Sequence, residues 1–156
     1  MKESKLKDEI LIVQNKKAYF NYFLSDFLEA GIELVGSEIK SLRKGHCSLD
    51  GTYVIFKKGE AFVLNMNIPI YQDNGIFQAQ PTRTRKLLLH KKQIIELIYK
   101  VERQGFTVVP TRVYIKKGIA KVQIALAKGK KNYDKREVIK EREEKRNIQK
   151  KIKERY

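Results

Sequence analysis

The stretch TVVPTRVYIKKGIAKVQIAL, Thr107 to Leu126, decides how the chain folds. Val113 and Ile115 alternate with Arg112 and Tyr114. After Lys116-Lys117-Gly118, Val122, Ile124 and Leu126 alternate with Lys121 and Gln123. Side chains on a strand point to opposite faces in turn, so this pattern predicts an antiparallel hairpin with one face in a core and the other in water. Tyr53 to Phe56, then Lys57-Lys58-Gly59-Glu60, then Ala61 to Met66, predicts a second hairpin. Between the two, Lys86 to Leu89 begins extended. His90 then caps a helix, with Gln93 three residues on as in a capping box. Ile94, Ile95, Leu97, Ile98 and Val101 recur at helical spacing until Gly105.

Toward the N-terminus, Asn74-Gly75 is a turn signal. Ser37 caps a short helix with Ile39 and Leu42 on its inner face and Gly45 at its end. Tyr19 to Leu34 is rich in aromatics and broken by Gly31; it reads as two strands joined by a turn near Ser25-Asp26. Ile10 to Val13 is a short apolar run. Short strands in this number, with a few helices, predict a β-rich α+β fold: a small, partly open barrel of the kind that binds oligonucleotides (OB-like), followed by a basic C-terminal tail.

The composition changes near Lys128, which sets the boundary of a body (1–127) and a tail (128–156). The 156 residues carry 34 Lys+Arg against 18 Asp+Glu, a formal net charge of +16. The tail holds 13 basic and 6 acidic residues, so it carries +7 and the body +9. Such a surplus repels itself unless a polyanion is near, and nucleic acid is the commonest one. The tail has few apolar residues, too few to order it alone. It is nonetheless rich in helix formers, with Glu141 and Lys145 in the favourable order. It reads either as a segment that becomes helical on a partner or as a solvated helix without a role.

Several function classes lose support. Gly129-Lys130-Lys131 lacks the upstream glycine and the Ser/Thr of a phosphate-binding loop. No dinucleotide fingerprint and no Gly-x-Ser-x-Gly elbow occur. One cysteine, Cys47, and two histidines, His46 and His90, are too few for a structural zinc site, and they fit a reducing cytoplasm. No apolar run approaches a membrane span, and Met1 to Glu9 is too polar for a secretory signal. No cofactor, metal or membrane partner is expected, and no catalytic activity. A ribonuclease using His46 or His90, and a ribosomal protein whose tail threads into rRNA, stand as the competing classes.

Basic residues recur in clusters: Lys16-Lys17; Lys40, Arg43 and Lys44 on one helical face; Arg83, Arg85 and Lys86 in an extended segment, with Arg83 and Arg85 to one side; and Lys91-Lys92. Their repetition without matching acidic clusters points to phosphate contacts. Tyr19, Tyr22 and Tyr71 can stack on bases, although core packing is the better explanation of all three.

Specific strings go further. Asn15-Lys16-Lys17-Ala18, Phe27-Leu28-Glu29-Ala30-Gly31-Ile32 and Gly36-Ser37-Glu38-Ile39-Lys40-Ser41-Leu42-Arg43-Lys44-Gly45 resemble the N-terminal half of the SsrA-binding protein (small protein B) family. Pro81-Thr82-Arg83-Thr84-Arg85-Lys86-Leu87-Leu88-Leu89-His90 resembles its middle motif. Val108-Val109-Pro110 and Ala127-Lys128-Gly129-Lys130-Lys131-Asn132-Tyr133-Asp134-Lys135-Arg136-Glu137 resemble its C-terminal signature. The resemblance implies an OB-like barrel that binds the tRNA-like end of transfer-messenger RNA and serves trans-translation on stalled bacterial ribosomes. It places RNA contacts at Asn15, Glu29 and Leu88. It also implies that Gly129, Lys130, Lys131, Tyr133, Asp134, Lys135 and Arg136 meet the decoding region, with the rest of the tail helical in an empty mRNA channel. Gln80 stands where the family usually has Asp, or a similar turn residue, before Pro-Thr-Arg. Glu141, Glu143 and Glu144 make the middle of the tail less basic than the family pattern implies.

Overall fold

The computed structural model describes residues 9–70, 80–130 and 139–149. Among the described residues, ahead of a helical segment at 139–149, seven strands and three helices follow in the order β1 (Glu9–Gln14), α1 (Lys16–Asn21), β2 (Tyr22–Ile32), α2 (Gly36–Arg43), β3 (Tyr53–Lys57), β4 (Glu60–Leu64), β5 (Arg85–Leu88), α3 (Lys91–Gln104), β6 (Thr107–Lys116) and β7 (Ile119–Gly129). The two predicted hairpins are β3–β4 and β6–β7. Each turns on a Lys-Gly pair, Lys58-Gly59 and Lys117-Gly118, with positive φ at both residues. That geometry matches the right-handed twist of the flanking strands, and glycine adopts it without a Cβ penalty.

All pairings are antiparallel, and they close on themselves. β6 pairs with β3, β3 with β4, β4 with β5, β5 with β2, β2 with β7, and β7 again with β6. The ring is narrowest at β3–β6, held by the pair Val54–Val108. β1 lies against the other half of β6, from Glu9–Lys116 to Gln14–Arg112. The barrel interior is filled by Val63, Met66, Val108, Val113, Val122 and Ile124, all without exposed surface.

Three local readings need correction. Tyr22 to Ile32 is one strand, not two. A bulge between Ser25 and Leu28 bends it, and Asp26 takes a positive φ there. The long pairing with β7 on one edge, and with β5 at its end, overrides the local turn signal. Ahead of it, α1 was not foreseen, and the side chain of Asn15 caps it by accepting from the Ala18 N–H at 3.1 Å. Ser37 lies inside α2 rather than capping it; the Glu38 carboxylate accepts from the Val35 N–H at 3.0 Å instead. In α3, Ile94 and Leu97 face the barrel while Ile95 is exposed. The Gln93 amide oxygen accepts from the His90 N–H at 3.1 Å, and the His90 side chain makes no cap bond of its own. Asn74-Gly75 lies outside the described residues. Residues 139–149 are helical and exposed along their whole length.

Candidate nucleic-acid interface

Strand register brings distant residues into one groove. Gly31 on β2 pairs with Leu88 on β5 at one edge and with Lys121 on β7 at the other. Glu29, two residues before Gly31, shares its face. A Cβ on Gly31 would lie 3.1 Å from the Leu88 Cβ, so the missing side chain lets Leu88 sit across the strand. The start of α3 adds His90, Lys91 and Gln93, and the β3–β4 turn adds Glu60, which pairs with Lys86 at 3.3 Å. The result is an open groove of about 600 Å³ with an apolar floor at Leu88 and cations along its rim.

Glu29 is held from the barrel side. The Tyr114 hydroxyl donates to its carboxylate, and the Lys116 ammonium lies 3.6 Å away. The Tyr114 bond, helped by Lys116 and Lys121, keeps the Glu29 carboxyl below its ordinary range against the opposing effect of partial burial. Glu29 is therefore an anion at neutral pH. It retains acceptor capacity toward the groove, which suits the N–H donors of unpaired base edges.

The other predicted residues divide in two. Lys16 and Lys17 are exposed on α1, with Lys17 3.5 Å from Asp50; Lys40 and Arg43 are exposed on α2 and Lys44 at its C-terminal cap. Asn15, Arg83 and Arg85 are occupied by the fold. Asn15 is buried, and its amide also donates to the Pro110 carbonyl at 3.0 Å, tying α1 to β6. Arg83 and Arg85 do lie on one side, as expected, but they converge on Glu38 rather than on solvent. Arg83 reaches Glu38 at 2.6 Å. Arg85 has no exposed surface; it holds Glu38 through Nε at 2.5 Å and donates to the Met66 and Pro81 carbonyls at 2.6 and 2.9 Å. An RNA contact by Arg85 is thus corrected to a buried structural ion pair. Burial pushes the Glu38 carboxyl up, but the bonds from Arg83 and Val35 and the charge of Arg85 outweigh it, and the net shift is downward.

Tyr114 and Lys121 belong to the groove surroundings although the sequence assigned them only to a solvent face. Tyr114 is 4% exposed, so that face is partly covered. At the root of the tail, Gly129 pairs with Tyr22, and Lys130 lies over the Phe23 ring at 5.0 Å. Tyr22 packs with Ala18, Val109 and Ala127 rather than standing free; Tyr19 is partly exposed. Tyr71, Lys131, Tyr133, Asp134, Lys135 and Arg136 lie outside the described residues. Among the described residues no group of three His, Cys, Asp or Glu is placed to hold a metal, and no helix is long and apolar enough to cross a membrane.

A closed antiparallel barrel carrying an open, cation-rimmed groove on its outer wall defines a small, basic β-barrel protein. The chain belongs to the SmpB family: the family model described as SmpB protein matches residues 12–154. An SsrA-binding protein of Shouchella clausii (strain KSM-K16) is 50% identical over 145 residues, 93% of each chain. One from Sulfurihydrogenibium sp. (strain YO3AOP1) is 51% identical over 145 residues, 93% of this chain and 95% of that one. Among solved structures, a chain from "tmRNA-SmpB: a journey to the center of the bacterial ribosome" is 40% identical with a TM-score of 0.65, covering 77% of this chain and 85% of that one.

Proposed function

We propose that this protein binds transfer-messenger RNA and delivers it to stalled ribosomes for trans-translation, as a cytoplasmic adaptor without catalytic activity. The observation that carries the reading is the convergence of Glu29, Lys86, Leu88, Lys91 and Lys121 on one groove, in a chain whose relatives are SsrA-binding proteins. In this groove the lysines meet phosphates, Leu88 offers a flat apolar contact, and Glu29 accepts from base edges. Lys16, Lys17, Lys40, Arg43 and Lys44 extend the positive field for the rest of the RNA. The tail, from Gly129 through Lys130, Lys131, Tyr133, Asp134, Lys135 and Arg136, meets the decoding region. Its helix then occupies an mRNA channel that an intact message would fill. Asn15 and Arg85 support this surface from behind.

Truncation after Lys130 tests the division of labour. That cut keeps the Gly129–Tyr22 pair and the Lys130 N–H bond to the Asn21 carbonyl at 2.9 Å, so the barrel stays whole. Affinity for the tRNA-like domain should largely survive, and tagging on stalled ribosomes should fail. Loss of RNA binding in that variant would overturn the assignment of the two parts.

A further inference from the structure

Tyr114 is buried on the face of β6 that alternation turns outward. Its ring lies beneath the Arg112 guanidinium, 5.3 Å from the ring centroid, and its hydroxyl ends on the Glu29 carboxylate. β6 is paired with β1 and β7 along this stretch, at Leu11 and Lys121, so the hydroxyl is a fixed point rather than a wandering one.

We propose that Tyr114 is the positioning residue of the RNA groove: its hydroxyl holds the Glu29 carboxylate in the orientation that accepts hydrogen bonds from unpaired bases. The inference rests on reading the groove as an RNA site.

Three considerations carry it. A carboxylate in an interface for a polyanion is repelled by phosphates, so it helps only when aimed at base N–H groups. Glutamate has several free rotors, and one left loose must be ordered when RNA binds; a carboxylate ordered beforehand avoids that loss. Lysines also compete for it. Lys116 lies 3.6 Å away, shared with Glu9 at 3.9 Å, and Lys121 lines the groove. Without the tyrosine hydroxyl the carboxylate can swing onto Lys116, which does not line the groove, and withdraw from it. Burial and the Glu29 charge both push the Tyr114 phenol upward, so it remains a donor throughout the physiological range.

The test is a double-mutant cycle on the full chain, titrated with the isolated tRNA-like domain of transfer-messenger RNA. Y114F keeps the ring and its contact with Arg112, so the fold is retained; thermal unfolding of each variant checks this. Y114F should weaken binding about tenfold. E29Q should weaken it at least as much, and the double variant should bind no worse than E29Q alone. In the free protein, the Glu29 carboxyl followed by carbon NMR should titrate at higher pH in Y114F than in the unsubstituted chain. If Y114F binds normally while E29Q is impaired, the positioning role is wrong and the groove reading stands. Additive losses would also overturn it, because Tyr114 would then act through another group. If E29Q binds normally, the assignment of Glu29 fails and this inference falls with it.

Discussion

Replacing Glu38 with alanine removes the acceptor for two arginines and one backbone N–H. Arg83 donates to it at 2.6 Å, Arg85 through Nε at 2.5 Å, and Val35 N–H at 3.0 Å. The three losses differ in cost. Arg83 is about a third exposed and can turn to water, so its loss is small. The Val35 N–H at the start of α2 loses its cap, worth about 1 kcal/mol. Arg85 is the large contribution, because its guanidinium is fully buried and would face the cavity as an uncompensated charge. Removing one partner of a buried pair costs about 3–5 kcal/mol. The bonds that Arg85 keeps to the Met66 and Pro81 carbonyls argue for the lower half of that range. A loss near 4 kcal/mol moves the urea midpoint by about 2 M for a domain of this size. Equilibrium urea unfolding followed by far-UV circular dichroism measures it. Glu38→Gln recovers only part, since its amide turns an NH2 toward one guanidinium. A loss below about 1 kcal/mol would refute the reasoning, for it would mean that the Arg85 guanidinium reaches water. Arg85 would then return as a candidate for RNA contact.

Acid should destabilise the fold through the same carboxylate. Glu38 and Glu29 both titrate below the ordinary value of 4.5 in the folded state, so their stabilisation is present above about that pH and is lost as pH falls through the folded values. The melting temperature should therefore hold from neutrality to about pH 5 and drop below it, with a smaller drop in Glu38→Gln; a drop of equal size in that variant would assign the effect elsewhere. Gly31→Ala should cost about 1–3 kcal/mol by overpacking, because the new Cβ meets the Leu88 Cβ at 3.1 Å, and it should also weaken RNA binding by displacing Leu88. Thermal unfolding and a binding titration check both parts, and an unchanged melting temperature would contradict the close approach. Burial pushes the Cys47 thiol up to about 12, so iodoacetamide at pH 8 should label native protein far more slowly than urea-unfolded protein, and equal rates by mass spectrometry would contradict that burial.

The hairpins and α3 were legible because their signals are local: a Lys-Gly turn between alternating runs, and a 3.6-residue period closed by Gly105. β2 was not, since Asp26 and the bulge beside it look like a turn until β7 is laid alongside. Arg85 looked like a solvent-facing cation because its partner, Glu38, lies 47 residues away. Nothing in the local pattern distinguishes a buried arginine from an exposed one. Tyr114 was hidden by the reverse error. Alternation gives the side of the sheet correctly, but it does not say that Arg112 and Glu29 cover that side. Glu29 and Leu88 came from family resemblance, while Lys121 and Gly31 become part of the groove only once strand register is known.

The closed ring of pairings also governs how this molecule can be made. β2 finds its long neighbour only when β7 has been synthesised, and β1 waits for β6 across most of the polypeptide. Contacts so distant in sequence close slowly, and no early fragment holds both halves of the cylinder. A nascent chain released before residue 119 would lack the last stave, leaving the edges of β2 and β6 unpaired there and open to aggregation. Only the tail can be lost from the growing product without preventing the barrel from closing.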